Sequence, residues 1–496
     1  MSFFDLLILI APEAIVLAAA LVVLVVDMAE MRHKRTRLRR LVAALLSTVG
    51  CLLALYWLGQ ADQGQRNSYS EGLLVVDPLV LLMKQVILLL TVLTAWISVE
   101  SDFTDHVGEY FMMVLLAALG MMFLVSSENL LMIFVSLELV SLSLYIMTAF
   151  NKRNPKSAEA GLKYFLFGGM SAAFLLFGLS WLYGATGELN LPKMAVKLAG
   201  NQLDPLVIVA ILMVTIGLGF KIAAVPFHLW APDAYQGAPA PTAAFIASGS
   251  KVASFFILAK VMMAGFKGAE GSGAWHHFAQ GWVPLLAILA ALSMVVGNLA
   301  ALVQGSVRRL LAYSAVAHAG YMLLGLLPNA QVGVAPLLYY VTTYALTTLG
   351  AFGVVAIVQE QHGEEQLATF AGLSRRAPLL SFCMMIFMLS LAGIPPLAGF
   401  FGKLYVFVAA AGSAKNLGML WLVILAIAMN AVALYYYLIV LKQIYVADPP
   451  ADAPAIAPNL LTKLTVALLA VAVVALGCLP NLWLEKLQAV VRFMGM

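Results

Sequence analysis

The chain has 496 residues, of which 63% are hydrophobic and only 10% are charged, and its formal net charge is +4. Soluble domains are about half apolar and about a quarter charged, so this composition excludes a soluble globular protein. The small net charge predicts no nucleic-acid partner. The three cysteines lie far apart inside apolar segments, and the sequence contains neither a P-loop nor a dinucleotide-binding glycine motif. We therefore expect no metal, iron–sulfur cluster or nucleotide on this chain.

Apolar runs of the length that crosses a bilayer, about 17 to 25 residues, follow one another along the whole sequence. They predict an all-α polytopic membrane protein with about fourteen transmembrane helices in a single membrane domain, 1–496. Span 12 is too long and too interrupted for one regular helix, so we interpret it as a broken span. The predicted spans lie near 3–26, 41–59, 78–98, 110–126, 129–149, 160–184, 206–228, 240–264, 282–303, 310–327, 333–358, 379–411, 420–446 and 460–482.

The distribution of basic residues predicts the orientation of the chain in the bilayer. A cluster at 32–40 follows span 1, and we interpret it as a topology anchor rather than as a site for lipid headgroups. Further basic residues at 152–156, 308–309 and 375–376 fall in loops on the same side. The N-terminal segment does not have the pattern of a cleavable signal. Since the number of spans is even, both termini are predicted to lie outside.

Two predicted spans are interrupted at matching places. Span 7 contains Pro226 within 223–228, and span 12 contains Pro395 and Pro396 within 392–397, so the two breaks are about 170 residues apart. Because five spans lie in each unit, the second copy must enter the membrane from the opposite side. Interrupted helices at corresponding places in inverted repeats indicate a transport site. The predicted organisation is a three-helix segment 1–100, inverted five-helix repeats 108–265 and 282–446, and a C-terminal helix 460–482.

Four ionisable residues lie deep inside predicted spans: Glu138, Lys221, Lys251 and Lys403. A charge at such depth is costly and by default marks an ion or proton pathway. The pKa of a lysine is about 10.4 in water, burial lowers it, and a nearby carboxylate raises it. A row of buried lysines beside a glutamate can therefore release and rebind protons. The alternative for Glu138 is a neutral, hydrogen-bonded core residue.

Other polar residues are candidates for supporting roles. Pro226 cannot donate to the Ile222 carbonyl, so we expect water or a lysine to satisfy the backbone at this break, which His228 follows. Any one of these polar residues is more often a satisfied core residue than a relay. The remaining candidates are Lys163, His318 and Lys260, the last of which is close enough to the outer end of span 8 to reach the membrane boundary.

The segment 220–235 has the sequence Phe-Lys-Ile-Ala-Ala-Val-Pro-Phe-His-Leu-Trp-Ala-Pro-Asp-Ala-Tyr. It resembles the signature of the antiporter-like membrane subunits of respiratory complex I, NADH–quinone oxidoreductase, which share ancestry with multisubunit cation/proton antiporters. Glu138, Lys251 and the segment 308–314 fit the same family, and the resemblance covers nearly the whole chain. Lysine at position 403 resembles the bacterial subunit N branch, because the L and M branches typically carry an acidic residue there.

The resemblance implies a role for each deep charge. Glu138 and Lys221 would form a coupled pair, Lys251 would be a central relay, and Lys403 would exchange protons with the outside. Lys163 and His228 would tune or hydrate the first half of the pathway. The supporting residues together would be Lys163, His228, His318, Pro226, Pro395 and Pro396.

The resemblance also implies partners and a location. The chain would translocate protons while other subunits transfer electrons from NADH to quinone, so NADH, FMN, iron–sulfur clusters and quinone would be bound by partner subunits. Its own partners would be protons, the lipid bilayer and other membrane subunits of complex I. The implied location is the bacterial cell inner membrane, with both termini on the periplasmic side.

Two other functions are compatible with these residues. Subunits of cation/proton antiporters and of membrane-bound hydrogenases share the motifs but work in a different machine. A structural spacer of the membrane arm with vestigial charges is the second alternative. Four deep charges argue against it, because a scaffold gains nothing from burying them.

Overall fold

The structure is a computed structural model, and it describes residues 8–60, 66–199, 204–328, 330–363, 365–413, 417–449, 456 and 458–493. These residues form mainly helices. In chain order the helices are α1 (Ala11–Val26), α2 (Thr36–Gln60), α3 (Pro78–Ser98), α4 (Val107–Ser126), α5 (Leu130–Thr148), α6 (Pro155–Thr186), α7 (Leu191–Leu198), α8 (Pro205–Ile222), α9 (Trp230–Gly237), α10 (Ala240–Gly265), α11 (Trp282–Leu302), α12 (Val307–Leu323), α13 (Ala330–His362), α14 (Leu373–Arg376), α15 (Pro378–Ala392), α16 (Ala398–Ala411), α17 (Leu420–Tyr445), α18 (Leu460–Cys478) and α19 (Asn481–Phe493).

Two short antiparallel hairpins lie in loops between the helices. Strands β1 (Asn67–Tyr69) and β2 (Leu74–Val76) pair between α2 and α3, and strands β3 (Ser272–Ala274) and β4 (His277–Ala279) pair between α10 and α11. Neither hairpin lies inside a predicted span, so the described membrane spans are helical, as the sequence predicts.

Twelve helices in the described part of the chain are long and apolar enough to cross a membrane. Two shorter apolar helices, α15 and α16, are the two parts of predicted span 12, and α12, which corresponds to predicted span 10, carries Arg308 and Arg309 in its first turn. The predicted break within 379–411 is therefore confirmed, with a non-helical connection between Ala392 and Ala398. The total of fourteen spans and the inverted repeats stay predictions.

Predicted and observed boundaries differ at several helices. The expected start of span 1 at residue 3 lies outside the described part of the chain and stays a prediction, whereas α6 begins at Pro155 rather than at 160. Span 7 was expected to reach residue 228, but α8 ends at Ile222 because the next residue adopts a left-handed backbone conformation. Span 14 was expected to reach residue 482, but α18 ends at Cys478, since Pro480 disfavours a helical conformation for the residue before it.

The centre of the molecule consists of α10 and α13, whose apolar segments are almost wholly surrounded by protein. Helices α15, α16, α18 and α19 pack around α13, and α10 packs against it from the other side. In contrast, α1, α6 and α17 leave most of their apolar surface exposed, as expected of helices at a lipid boundary. The polar residues of α10 and α13 therefore face protein rather than lipid.

Candidate functional site

The glutamate and the first lysine of the predicted pathway come from α5 and α8. Glu138, Ser141 and Tyr145 follow one another on α5 at spacings of three and four residues, which places them on one face. Lys221 Nζ donates a hydrogen bond to Ser141 Oγ and lies 5.5 Å from the centroid of the Tyr145 ring. Lys221 is buried and Glu138 is half-buried. Ser141 is thus the hydrogen-bond partner of Lys221. The Glu138 carboxylate makes no hydrogen bond to Lys221 among the described contacts and interacts with its ammonium group electrostatically.

The break after α8 is capped by a tryptophan. Ala223 has a φ of 59°, and Ala224 N donates to the Gly219 carbonyl at 2.9 Å. The Phe220 carbonyl therefore does not receive the Ala224 amide that a continuing helix would supply, and accepts from Ala223 N at 3.0 Å instead. Trp230 Nε1 is a second donor to the Phe220 carbonyl, also at 3.0 Å. An indole of α9 therefore adds a side-chain donor at the Phe220 carbonyl, two residues before the Ile222 carbonyl for which the sequence suggested water or a lysine.

Two further predicted residues lie in the turn after this break. His228 is buried, and its Nδ1 has no hydrogen-bond partner among the described residues, whereas Pro226 is exposed. Val225 N donates to Ser293 Oγ at 2.9 Å, which attaches the turn to α11. His228 therefore lies at the break with its Nδ1 unpaired among the described residues, and the Lys221 ammonium group donates to Ser141 instead.

Lys251 lies at an irregularity of α10. The preceding turn, Ile246–Ser250, is π-helical, and regular α-helix resumes at Lys251. Such turns are rare and are frequently found at functional sites. The buried ammonium group donates to the Ala315 carbonyl of α12 at 2.6 Å and lies 5.8 Å from the centroid of the Tyr344 ring. The lysine therefore faces the second predicted repeat.

His318 occupies the middle of the polar cluster, one turn after Ala315. Its Nδ1 lies 2.8 Å from Tyr340 Oη, and its Nε2 lies 3.1 Å from Tyr437 Oη. The ring packs against Tyr344 on one side and Tyr321 on another, with centroid distances of 4.8 Å and 5.8 Å. Both ring nitrogens thus have a hydroxyl partner. This histidine, expected from the sequence to have only a supporting role, lies at the centre of the cluster.

The last predicted lysine lies on the far side of the histidine. Lys403 Nζ of α16 is 5.2 Å from the centroid of the Tyr321 ring, donates to the Leu391 carbonyl at 2.6 Å, and donates to Asn430 Oδ1. Leu391 lies in the last turn of α15, so this lysine itself satisfies the backbone at the second break. The prolines of that break, Pro395 and Pro396, are exposed.

A continuous row therefore crosses the second half of the molecule, which we call the His318 row. Its members are Lys251, Tyr344, His318, Tyr321 and Lys403. Each lysine lies against a tyrosine ring, an arrangement in which the ring face attracts the cation, and each ring packs on the same imidazole. Two proton-binding amines are thus joined through a third ionisable group.

Lys163 lies apart from this cluster. Its side chain is 41% exposed and forms ion pairs with Glu159 at 2.7 Å and with Asp233 at 2.8 Å. Asp233 also pairs with Arg309 at 2.7 Å. Lys163 thus belongs to a surface ion-pair cluster that links α6, α9 and α12. Asp233 lies within the family motif 220–235, but the sequence did not predict it as an ion-pair partner of Lys163 or Arg309. Those residues are 70 and 76 positions away, and no spacing rule joins them to Asp233.

Two buried ion pairs were also missed. Lys84 Nζ lies 2.6 Å from Glu13 Oε1, and both side chains are 1% exposed. The ammonium group of Lys260 is buried and lies 3.6 Å from the equally buried Glu128, which follows the end of α4; that Lys260 reaches the membrane boundary stays a prediction. Glu128 also pairs with Arg66 at 2.7 Å. The carboxylate that pairs with Lys260 comes from a distant segment, and nothing local in the sequence indicates such a partner.

The described residues contain no group of three or more histidine, cysteine, aspartate or glutamate side chains that could hold a metal ion. What the site offers chemically is proton binding: one carboxylate, three lysines and one histidine, all in helices surrounded by apolar residues. Interrupted membrane helices that carry buried lysines define the class of antiporter-like membrane subunits.

Comparison with known proteins agrees with this class. The family described as NADH:quinone oxidoreductase/Mrp antiporter, transmembrane, matches residues 127–429. NADH-quinone oxidoreductase subunit N 2 of Acidobacterium capsulatum is 51% identical, over 98% of this chain and 99% of that protein. Subunit N of Desulforamulus reducens is 42% identical over 75% of each chain. The chain belongs to the subunit N family of NADH-quinone oxidoreductases, so the predicted family is confirmed.

Solved structures show the same fold. A chain of respiratory complex I from Thermus thermophilus with bound aureothin is 34% identical, with a TM-score of 0.77 over 96% of this chain and 99% of that chain. A chain of the membrane-bound sulfane sulfur reductase, an archaeal respiratory membrane complex, is 25% identical, with a TM-score of 0.84 over 99% and 98%. The antiporter-like, multi-pass architecture expected from the sequence is thus confirmed.

Proposed function

We propose that this chain translocates protons in the membrane arm of an NADH-quinone oxidoreductase. The observation that carries the proposal is the His318 row, because it places two buried lysines on either side of one imidazole. A scaffold gains nothing from burying these charges, whereas a proton relay needs them. NADH, FMN, iron–sulfur clusters and quinone belong to partner subunits, and this chain contacts other membrane subunits and lipid.

The first half of the proposed relay is the pair Glu138 and Lys221. Two unit charges about 10 Å apart in an effective dielectric of about 20 interact by about 1.7 kcal/mol. That energy changes an equilibrium more than tenfold, since about 1.4 kcal/mol corresponds to a factor of ten. Moving or neutralising Glu138 therefore changes the tendency of Lys221 to hold its proton. Ser141, already bonded to Lys221, offers a hydroxyl through which that proton leaves.

The second half is the His318 row. A proton on Lys251 repels one on Lys403, so the two lysines are alternately charged, with His318 between them as the transfer group. The hydroxyls of Tyr340 and Tyr437 hold both imidazole nitrogens in place. Tyr344 Oη is buried without a hydrogen-bond partner among the described residues, so a further hydroxyl is open to the transferred proton.

The proposal includes the two inverted repeats, 108–265 and 282–446, with the three-helix segment 1–100 before them and the C-terminal helix after them. The matching ends of α8 and α15 support it. Each helix ends in a left-handed residue, Ala223 or Gly393. In each, the following amide donates five residues back, from Ala224 to the Gly219 carbonyl and from 394 to the 389 carbonyl, at 2.9 Å and 3.0 Å. Both termini then lie on the periplasmic side of a bacterial inner membrane.

Purification of the tagged chain in mild detergent tests the function. We expect a large assembly that oxidises NADH and reduces quinone, and that acidifies one side of a proteoliposome membrane as it does so. An assembly that exchanges cations for protons without NADH oxidation would instead support the antiporter alternative. A Lys251→Met assembly that pumps protons at the wild-type ratio to NADH would support the spacer alternative.

A further inference from the structure

We propose that Trp230 is a positioning residue for Lys221. The inference deepens the proposed function and rests on it, because the position of Lys221 matters only if this lysine carries protons. Trp230 is buried and opens α9, the short helix that follows the break in α8. It touches the surroundings of Lys221 at two points, one on the backbone and one through aromatic rings.

The backbone contact lies directly beside the lysine. Trp230 Nε1 donates to the carbonyl of Phe220, the residue that precedes Lys221, and the two aromatic rings pack at a centroid distance of 5.2 Å. This carbonyl lies in the last turn of α8, where the Ala223 amide at 3.0 Å replaces the usual donor four residues on. The indole therefore fixes the end of the helix at the point where the lysine side chain leaves it.

The ring contact reaches the ammonium group. The Trp230 indole stacks on Tyr164 with a centroid distance of 4.2 Å and an interplanar angle of 2°. Tyr164 meets Tyr145 edge to face at 4.6 Å, and Tyr145 lies 5.5 Å from Lys221 Nζ. One residue thus supports both the root and the charged end of the Lys221 side chain.

The second break shows what this arrangement avoids. There the relay lysine satisfies the broken helix itself, since Lys403 Nζ donates to the Leu391 carbonyl at 2.6 Å. In the first half a neutral indole and the Ala223 amide bind the Phe220 carbonyl, and the Lys221 ammonium group donates to Ser141 rather than to the end of the helix. A lysine that is not needed as a cap can change partner when its proton moves.

The surface ion-pair cluster keeps the indole in place. Asp233 lies one turn after Trp230 on α9 and pairs with Lys163 and Arg309. Lys163 directly precedes Tyr164 on α6. The Lys163–Asp233 ion pair therefore links α6 and α9 close to the stacked rings of Tyr164 and Trp230, and fixes that end of the stack.

Trp230→Phe tests the inference, because phenylalanine retains a stacking ring and removes the N–H donor. The assay is the pH profile of proton translocation by the whole purified assembly in proteoliposomes, relative to NADH oxidation. Among the described residues, Glu138 and Tyr145 are the titratable groups that face Lys221, and Tyr164 packs behind Tyr145. We expect the midpoint of the profile to shift and the rate at neutral pH to fall about two- to tenfold, the range for net loss of one hydrogen bond.

The matched control is Trp181→Phe, a tryptophan of α6 that packs against Phe177 with its ring 4.8 Å away. We expect its profile to match wild type. A Trp230→Phe profile with an unchanged midpoint overturns the inference, whether the rate is normal or lowered equally at every pH. If Trp230→Phe does not assemble, Tyr164→Leu carries the same prediction, since it interrupts the stack and leaves the indole donor.

A parallel Lys221→Met assembly separates the two hypotheses. If it pumps protons like wild type, the proposed relay fails and this inference fails with it. If Lys221→Met is impaired while the Trp230→Phe and Tyr164→Leu midpoints stay at the wild-type value, only the positioning role fails.

Discussion

The buried ion pair of the N-terminal helices allows a quantitative prediction. Lys84 of α3 and Glu13 of α1 are 2.6 Å apart, and each side chain is only 1% exposed. Lys84→Met removes the cation and leaves a carboxylate in apolar surroundings. Breaking such a pair costs about 3–5 kcal/mol, which lowers the ratio of folded to unfolded protein by a factor of roughly one hundred to several thousand.

The double variant Lys84→Met with Glu13→Gln distinguishes this explanation from loss of packing. With both charges gone, about neutral or higher stability is expected, because a buried pair gains little net energy over apolar replacements. Unfolding of the purified chain by denaturing detergent, followed by circular dichroism, measures these free energies. The control is Arg375→Ala, whose pair with Asp448 is 60% and 84% exposed and is worth less than about 1 kcal/mol. A Lys84→Met variant as stable as this control would refute the reasoning.

Two further predictions concern the relay and its packing. His318→Phe retains a ring but cannot carry a proton, so proton translocation per NADH oxidised is expected to fall at least about tenfold. The control is His277→Phe, a substitution of an exposed histidine. Equal proton pumping by the two variants would contradict the role of His318. Gly477→Ala places a Cβ about 2.1 Å from the Pro396 carbonyl oxygen, so the yield of assembled complex should drop, whereas Gly59→Ala, which meets no atom within 4 Å, should not change it. Equal yields from the two glycine variants would show that the second break tolerates displacement.

Much of the fold was predictable because each membrane span is a contiguous run of apolar residues that can be recognised in the sequence. Apolar runs gave the bounds of α3 without error, and the prolines at 226 and 395–396 indicated both breaks. A cap or a partner from a distant segment was not predictable in this way. Trp230, which binds the Phe220 carbonyl, lies beyond the break, and the helix α19 was missed because its alternating polar and apolar residues, after Pro480, do not form an apolar run.

The site was predictable as a set of charges but not as an arrangement. Depth alone identified Glu138, Lys221, Lys251 and Lys403, since a buried charge stands out in an apolar sequence. Which charge meets which group depends on tertiary packing. His318 was therefore predicted only as a supporting residue, although the packing of α10, α12, α13 and α16 places it between Lys251 and Lys403.

The most direct test of the account is proton translocation by an assembly carrying Lys403→Met. The control is Lys463→Met, an exposed lysine at the start of α18. Both assemblies are reconstituted into proteoliposomes, and acidification is measured against NADH oxidised. We predict that Lys403→Met translocates at least about tenfold fewer protons, while Lys463→Met matches wild type. Wild-type translocation by Lys403→Met would contradict the relay through the His318 row.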